Sequence, residues 1–240
     1  MAWSDPLDLY CERLGPGLWA EPLNAVSNAA FFIAAIAALI HWRKAGGRDT
    51  PALLLILVAF AIAIGSTIFH TIATRAALLA DIIPIAIFMA GYLVLVWRRY
   101  LKFGVGASLA VLAGFEIVSF GAPAIAPPDF LNRSVPYLPA LLMLILVAAL
   151  VQGRARTVHS PEAAASHWLW IAASLFSASF FLRSIDMTVC PVFPYGTHFI
   201  WHCLNAGMIY VLLRAASEWT AHSAARKPSP RPRRRRSPAR

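Results

Sequence analysis

Long apolar stretches constrain this chain more than any other feature of its sequence. A helix that crosses a bilayer needs roughly 20 mostly apolar residues. Seven stretches meet that requirement, at residues 24–42, 52–73, 78–97, 104–121, 135–152, 167–184 and 197–215. Only 13% of the residues are charged, which is about half the fraction found in a soluble domain. The sequence therefore predicts an all-α integral membrane protein with seven transmembrane helices and no separate soluble domain.

Basic residues in the short loops predict how the helices are oriented. The loops after the first, third and fifth stretches carry most of the cations: Arg43, Lys44, Arg48, Arg98, Arg99, Lys102, Arg154 and Arg156. Because short cytoplasmic loops are enriched in Lys and Arg, we expect the N-terminus outside and the C-terminus in the cytoplasm. This gives an extracytoplasmic segment at 1–23, a transmembrane domain at 24–216 and a cytoplasmic tail at 217–240.

The net charge of +10 comes mostly from the tail, since residues 226–240 hold eight Lys and Arg and no acid. Its Pro, Ser and Arg content predicts disorder. We expect it to fix topology and to contact anionic lipid headgroups rather than nucleic acid. Residues 1–23 lack the pattern of a signal peptide. Together with the short loops, these features are typical of a bacterial inner-membrane protein.

Five polar residues from three predicted helices fall at one depth in the outer half of the membrane. Ser66 and His70 lie one turn apart near the end of the second helix, and Asp81 lies near the start of the third. His198 and His202 share one face of the seventh helix because they are four residues apart. Ionisable side chains are costly in a bilayer, so each suggests a functional role.

The three histidines predict a zinc site. Two imidazoles one helical turn apart are a common zinc-binding arrangement, and His70 would supply a third nitrogen. Three protein ligands leave the fourth position for water, which is typical of catalytic zinc and lowers the pKa of that water to about 7. We expect Asp81 to act as general base or to orient the water, and Ser66 to hydrogen-bond the water or the developing oxyanion.

Each of these residues also has a structural interpretation. The histidines of a helical pair are more often packed or hydrogen-bonded than metal-bound, Ser66 alone would be a helix-packing residue, and Asp81 alone would cap a helix. The set at one depth favours the metal site. The other four histidines are predicted to be non-ligands: His41, His159, His167 and His222.

Three further polar residues are predicted to surround the site or line its cavity. Arg183 and Asp186 lie at the end of the sixth stretch, where a structural ion pair between them is expected. Glu116 lies in the fourth stretch, and a structural hydrogen bond is its alternative role.

The predicted topology places two of the three cysteines on the outer side. Cys11 precedes the first helix and Cys190 follows the sixth, so a disulfide between them is compatible with an oxidising compartment. Two free thiols are the alternative. Cys203, inside the seventh helix, is expected to be a small buried apolar residue.

Several motifs occur in an order that resembles the alkaline ceramidase family. They are YCER, EPLNAVSNAAFF, GSTIFHT, DIIP, FLRSIDMTVCP and GTHFIWHCLNA, and they span Tyr10 to Ala206. The wider superfamily of membrane hydrolases also contains the adiponectin- and progestin-type receptors. The resemblance implies a seven-helix fold and hydrolysis of the ceramide amide to a fatty acid and a sphingoid base. It further implies zinc on His70, His198 and His202, Ser66 and Asp81 beside it, and a disulfide between Cys11 and Cys190.

The resemblance also raises the question of calcium in the N-terminal segment. Animal members bind it through an acidic motif, of which Glu12 and Glu21 stand at matching positions. Leu9 and Leu14 replace an Asp and an Asn of that motif, although Asp8 lies one residue away. Calcium takes 6–8 oxygen ligands. The alternative for Glu12 and Glu21 is structural, such as complementing the N-terminal charge of the first helix.

The sequence is compatible with three functions, of which the third is disfavoured. The first is a zinc-dependent amidase acting on ceramide or another N-acyl lipid. The second is a lipid-binding receptor or sensor on the same scaffold. The third, a metal transporter or proton relay, is disfavoured because the polar residues stop in the outer half and no polar path continues across the membrane.

Overall fold

The computed structural model describes residues 2–127, 129–157 and 160–225. The helices of this part of the chain are α1 Pro22–Ser27, α2 Ala29–Lys44, α3 Thr50–Ile72, α4 Arg75–Arg99, α5 Val105–Ile125, α6 Leu138–Gly153, α7 Pro161–Val189 and α8 His198–Ala225. Two short 3₁₀ helices, Phe130–Arg133 and Val135–Tyr137, connect α5 to α6. The described residues form no β-strand, apart from one isolated bridge between Pro6 and Thr74.

Seven of the helical stretches are long and apolar enough to cross a membrane. Helices α1 and α2 together make the first of these spans, Pro22–Lys44, with a break at Asn28. This confirms the predicted all-α membrane fold with seven spans. The orientation of the termini stays a prediction.

The largest differences from the predicted spans lie in α7 and α8. Helix α7 begins at Pro161 rather than at 167, because the Ser160 side chain accepts a hydrogen bond from the Ala163 N–H and Pro161 suits a first helical turn. Helix α8 continues to Ala225, past the predicted start of the tail at 217, and Thr220 in this extension hydrogen-bonds Asp49. His159 and the basic residues 226–240 lie outside the described part of the chain.

Helix α8 lies at the centre of the bundle, where it contacts α7, α2, α1 and α3. Helices α3 and α4 pack closely because Gly65 has no side chain: a Cβ there would collide with the backbone of Ala80. Small residues permit such close approach of membrane helices. The approach brings Ser66, the residue after Gly65, next to Asp81, the residue after Ala80.

The N-terminal segment, residues 2–21, is folded against one end of the bundle. The Leu7 N–H donates to the Ala73 carbonyl over 2.7 Å, and a disulfide joins Cys11 to Cys190, as predicted. The Glu12 carboxylate accepts hydrogen bonds from the N–H groups of Leu23 and Asn24, at 2.6 and 2.8 Å. It thereby satisfies backbone donors in the first turn of α1.

A polar cluster lies at the start of α3, at the end opposite to the one that the N-terminal segment covers. Asp49 precedes α3 and is buried, and its carboxylate accepts from both terminal nitrogens of Arg99, at 2.6 and 2.7 Å. The Thr220 hydroxyl donates to the same carboxylate over 2.6 Å, and the Ala52 N–H donates over 3.2 Å. This cluster joins α3, α4 and α8, and we call it the Asp49 cluster.

Candidate metal centre

Three buried histidines meet near the end of the bundle that the N-terminal segment covers. His70 lies in the last turn of α3, and His198 and His202 lie in the first two turns of α8. One ring nitrogen from each lies within 4.8 Å of the others. His70 and His202 are completely inaccessible to solvent and His198 is 1% exposed. The structure therefore brings together the three ligands that the sequence predicts.

Hydrogen bonds fix the orientation of two of the three rings. Nδ1 of His70 donates to the Glu21 carboxylate over 2.6 Å. Nδ1 of His202 lies 2.7 Å from the Ser27 hydroxyl, which itself donates to the Asn24 carbonyl and so accepts from the imidazole. Both contacts assign the ring proton to Nδ1 and leave Nε2 with a free lone pair. Contacts of this kind set the tautomer of metal-binding histidines.

Aromatic rings enclose the third histidine. The Tyr10 ring stacks on His198 with centroids 3.7 Å apart and planes 17° apart. The Trp201 ring is also nearly parallel to His198, with centroids 4.9 Å apart. Tyr10 comes from the N-terminal segment, so that segment covers the histidines and excludes water from them.

Asp81 and Ser66 stand beside the histidines, on the two helices that Gly65 allows to approach. Asp81 is 6% exposed, contacts the Ser66 hydroxyl and faces His70. Oδ1 of Asp81 is buried and has no hydrogen-bond partner. A carboxylate oxygen without a partner, next to three imidazoles, is free to accept a proton or to hold a water molecule.

Unpaired nitrogens point to what the centre binds. Nε2 of His70, Nε2 of His202 and both ring nitrogens of His198 are buried without a hydrogen-bond partner. Leaving several such groups unpaired costs free energy, and buried polar groups normally have partners. Three imidazoles that bring ring nitrogens this close together are the donor set that zinc takes in catalytic sites. The residues present therefore fit zinc.

An apolar cavity adjoins the centre. Its wall includes Phe31 and Trp201, whose ring centroids lie 5.8 and 5.4 Å from that of His202. It continues along α8 to Leu212, and its lining is apolar except at a few groups such as Tyr137 and Asn205. Two residues of the cavity wall thus contact His202, and the cavity lies beside the metal centre.

The sequence profile of the Ceramidase family matches residues 15–233, which is most of the chain. The chain belongs to the Ceramidase family. Membership implies an amide hydrolase, and the three clustered histidines agree with a metal-dependent one. A search of the curated proteins finds no match for the chain.

In this member of the Ceramidase family, the carboxylates of Glu12 and Glu21 are already engaged. Glu12 caps α1, and Glu21 binds Arg13, Asn24 and His70. Burial raises the pKa of Glu12. Burial also acts to raise the pKa of Glu21, but hydrogen bonds from His70, Arg13 and Asn24 outweigh it and hold that pKa below its usual value.

These engaged carboxylates do not fit calcium, which takes 6–8 oxygen ligands. Within the described residues, the group that brings three metal-binding side chains together is the histidine set, and neither glutamate belongs to it. The contacts of Glu12 and Glu21 therefore do not favour the predicted calcium site in the N-terminal segment.

Two other residues differ from their predicted surroundings. Arg183 and Asp186 do not pair with each other. Asp186 accepts backbone hydrogen bonds from Cys11, Thr197 and His198, while Arg183 donates to the Asn132 carbonyl and lies over the Tyr10 ring. Their positions three residues apart on α7 suggested a pair, but N–H groups of the N-terminal segment and of the start of α8 satisfy the Asp186 carboxylate.

Glu116 and Cys203 lie away from the site. Glu116 is half-buried on α5, and no described contact joins it to the histidines or the cavity. Cys203 is exposed on the surface of α8, so the prediction that it is buried is wrong. It follows His202, which points into the bundle, and one further residue turns the side chain about 100° around the helix.

Tyr10, Glu21 and Ser27 contact the histidines, and the sequence did not predict those contacts. All three lie before or within the first span. In that position a serine such as Ser27 usually serves helix packing, and a glutamate such as Glu21 usually complements the N-terminal charge of the helix. One sequence feature could have indicated these contacts: Glu21 and Ser27 are polar residues at the same membrane depth as the predicted zinc site.

Proposed function

We propose that this protein is a zinc-dependent amide hydrolase that cleaves ceramide or a related N-acyl lipid within the membrane. The products are a fatty acid and a sphingoid base or another amine. One observation carries the proposal: three buried imidazoles bring ring nitrogens within 4.8 Å of one another, and their unpaired nitrogens lie beside an unpaired carboxylate oxygen and an apolar cavity.

Zinc held by these nitrogens would act as a Lewis acid that lowers the pKa of a water molecule to about 7. The protein supplies the proton transfers. Oδ1 of Asp81 accepts the proton of the attacking water, and the carboxyl group returns it to the nitrogen as the carbon–nitrogen bond breaks. The Ser66 hydroxyl, next to Asp81, orients that carboxyl group and donates to the oxyanion as it forms.

The surrounding residues keep the centre ordered and dry. Glu21 and Ser27 hold the Nδ1 protons of His70 and His202, so that each ring presents Nε2. Tyr10 covers His198, and the low polarity around it strengthens electrostatic interactions inside the site. A water molecule that enters the centre therefore meets oriented groups rather than bulk solvent.

The cavity indicates the substrate class. From Trp201 to Leu212 it follows α8 for about 16 Å, at 1.5 Å per residue. An apolar cavity of this length fits a hydrocarbon chain. A chain bound there would bring the amide of an N-acyl lipid toward the metal centre, because Phe31 and Trp201 of the cavity wall contact His202. A soluble amide would gain little from such walls.

The test is mass spectrometry of lipids after incubation with the purified protein. The panel contains ceramide, N-acyl amino acid lipids and ester-linked lipids of equal chain length, each with and without a zinc chelator. We expect chelator-sensitive release of fatty acid from at least one amide lipid. His198→Ala should lose zinc and activity together.

Two results contradict this function. Full activity in a zinc-free His198→Ala protein would exclude the metal mechanism. Stoichiometric lipid binding without product from any member of the panel would instead favour the receptor or sensor.

A further inference from the structure

Arg13 is a buried cation in the N-terminal segment that the reaction does not use directly. It is 5% exposed and forms an ion pair through Nε with Oε1 of Glu21. Its NH1 donates to the Gly15 carbonyl over 2.9 Å, and its NH2 is buried without a partner. The charge of Arg13 is therefore neutralised by Glu21. Burying an arginine is costly unless it is paired, so this contact defines its position.

Glu21 connects Arg13 to the metal centre. Oε1 accepts from Arg13, and Oε2 accepts from Nδ1 of His70 over 2.6 Å and from the Asn24 side chain over 3.1 Å. Both oxygens of one 1%-exposed carboxylate are thus used. Rotation of the carboxylate toward another partner would break the contact that orients His70.

The backbone around Arg13 is held at several points. Cys11 is bonded to Cys190 and donates its N–H to Asp186, which also accepts the N–H of His198. Glu12 caps α1. Arg13 therefore approaches Glu21 from a segment that is fixed both to α1 and to the loop before α8.

We propose that Arg13 is a positioning residue for the metal centre: its guanidinium holds Glu21 in the orientation that fixes the proton of His70 on Nδ1 and directs Nε2 toward the metal. Arg13 also supplies a positive charge beside Glu21, one of the two glutamates for which the family resemblance suggested calcium. The N-terminal segment then orders the metal centre without a second metal. This inference rests on the proposed zinc site but not on the identity of the substrate.

The experiment measures zinc affinity by chelator competition in the purified full-length protein, for wild type, Arg13→Gln, Glu21→Gln and the double variant. Removing a hydrogen-bond partner behind a metal ligand typically weakens metal binding 10–100-fold. We expect each single variant to lose about that much. The double variant should lose no more than Glu21→Gln alone, because Arg13 acts through Glu21.

A cobalt-loaded sample provides a readout that a loss of fold stability would not change. The visible absorption of cobalt reports the ligand geometry, so it should shift in Arg13→Gln and return toward that of wild type in Arg13→Lys, which keeps the charge. Arg214→Gln, which removes a partly exposed ion pair with Glu218 on α8, is the matched control and should leave zinc affinity unchanged. If Arg13→Gln does not fold, Arg13→Met, which keeps the length of the side chain without its charge, replaces it in the double-variant cycle.

Three results would overturn the inference. They are wild-type zinc affinity in Arg13→Gln, additive losses in the double variant, and a wild-type zinc affinity that falls when calcium is removed with a calcium-selective chelator. A wild-type protein that binds no zinc would overturn both this inference and the proposed function. Zinc binding without lipid hydrolysis would overturn only the function.

Discussion

The two ends of α3 carry buried polar clusters of opposite character. At one end, the carboxylate of Asp49 accepts four hydrogen bonds, two of them from Arg99. At the other end, about 31 Å away at 1.5 Å per residue, His70 and its neighbours keep four unpaired ring nitrogens and one unpaired carboxylate oxygen. Both clusters are buried and both join α3, α4 and α8.

The difference separates a structural cluster from a functional one. A cluster whose groups satisfy each other stabilises the helices that it joins. A cluster whose groups remain unpaired opposes folding unless something else binds there. In this membrane hydrolase, the closed Asp49 cluster joins the helices at one end, while the open histidine cluster offers its lone pairs to a metal and a substrate.

The sharpest test of this comparison is Asp81→Asn at the open end. We expect activity on the best lipid substrate to fall by about 10²–10⁴-fold, the usual contribution of a general base. Zinc content should stay at the wild-type level because Asp81 is not a ligand. The melting temperature should not fall, since the change removes a buried charge. A large loss of stability with little loss of activity would show that Asp81 is structural rather than catalytic.

Asp49→Asn at the closed end should have the opposite effect. Losing charge-assisted hydrogen bonds and leaving Arg99 unpaired is expected to lower the free energy of unfolding by about 2–3 kcal/mol. Denaturation in detergent would measure it. Zinc affinity should remain that of wild type. If Asp49→Asn also weakened zinc binding, the Asp49 cluster would contribute to the metal centre and the two ends of α3 would not be independent.

The pH dependence of Asp49 gives an independent check. Burial acts to raise the pKa of Asp49, but hydrogen bonds from Arg99 and Thr220 outweigh it and hold that pKa below its usual value. Its stabilisation is therefore complete above the unfolded-state pKa of about 4 and is lost as the pH falls toward the lower pKa of the folded state. The stability difference between wild type and Asp49→Asn should narrow below about pH 4.

The smallest expected effect compares one serine at each end, half-buried Ser27 and buried Ser217. Ser27→Ala removes the partner of Nδ1 of His202 and should weaken zinc binding about tenfold. Ser217→Ala removes a hydroxyl that bonds only within α8, to the Leu213 carbonyl, and should leave zinc affinity unchanged. Equal affinities in the two variants would show that the Ser27 contact does not orient the ring.

The sequence predicts the spans and the histidines for the same physical reason. An apolar stretch must be about one bilayer thick, and a histidine inside such a stretch is conspicuous. Alternation of the spans then places His70 at the same end as His198, without any knowledge of packing. The disulfide between Cys11 and Cys190 follows the same logic and is present.

The sequence could not predict contacts that depend on the direction of a side chain. Asp186 accepts backbone N–H groups from a loop whose path the residue spacing does not specify. Tyr10 reaches His198 only because the segment before α1 folds back over the bundle. Cys203 is exposed because the face that α8 turns outward depends on its neighbours, and a uniformly apolar helix carries no periodicity to indicate it.

The arrangement of the metal centre also sets an order for its assembly during synthesis. Tyr10, Glu21 and His70 enter the membrane region with the first two spans, whereas His198 and His202 arrive with the last one. A nascent chain that ends before residue 198 holds one of the three ligands. A metal ion that requires all three histidines would therefore bind only after the final helix has inserted.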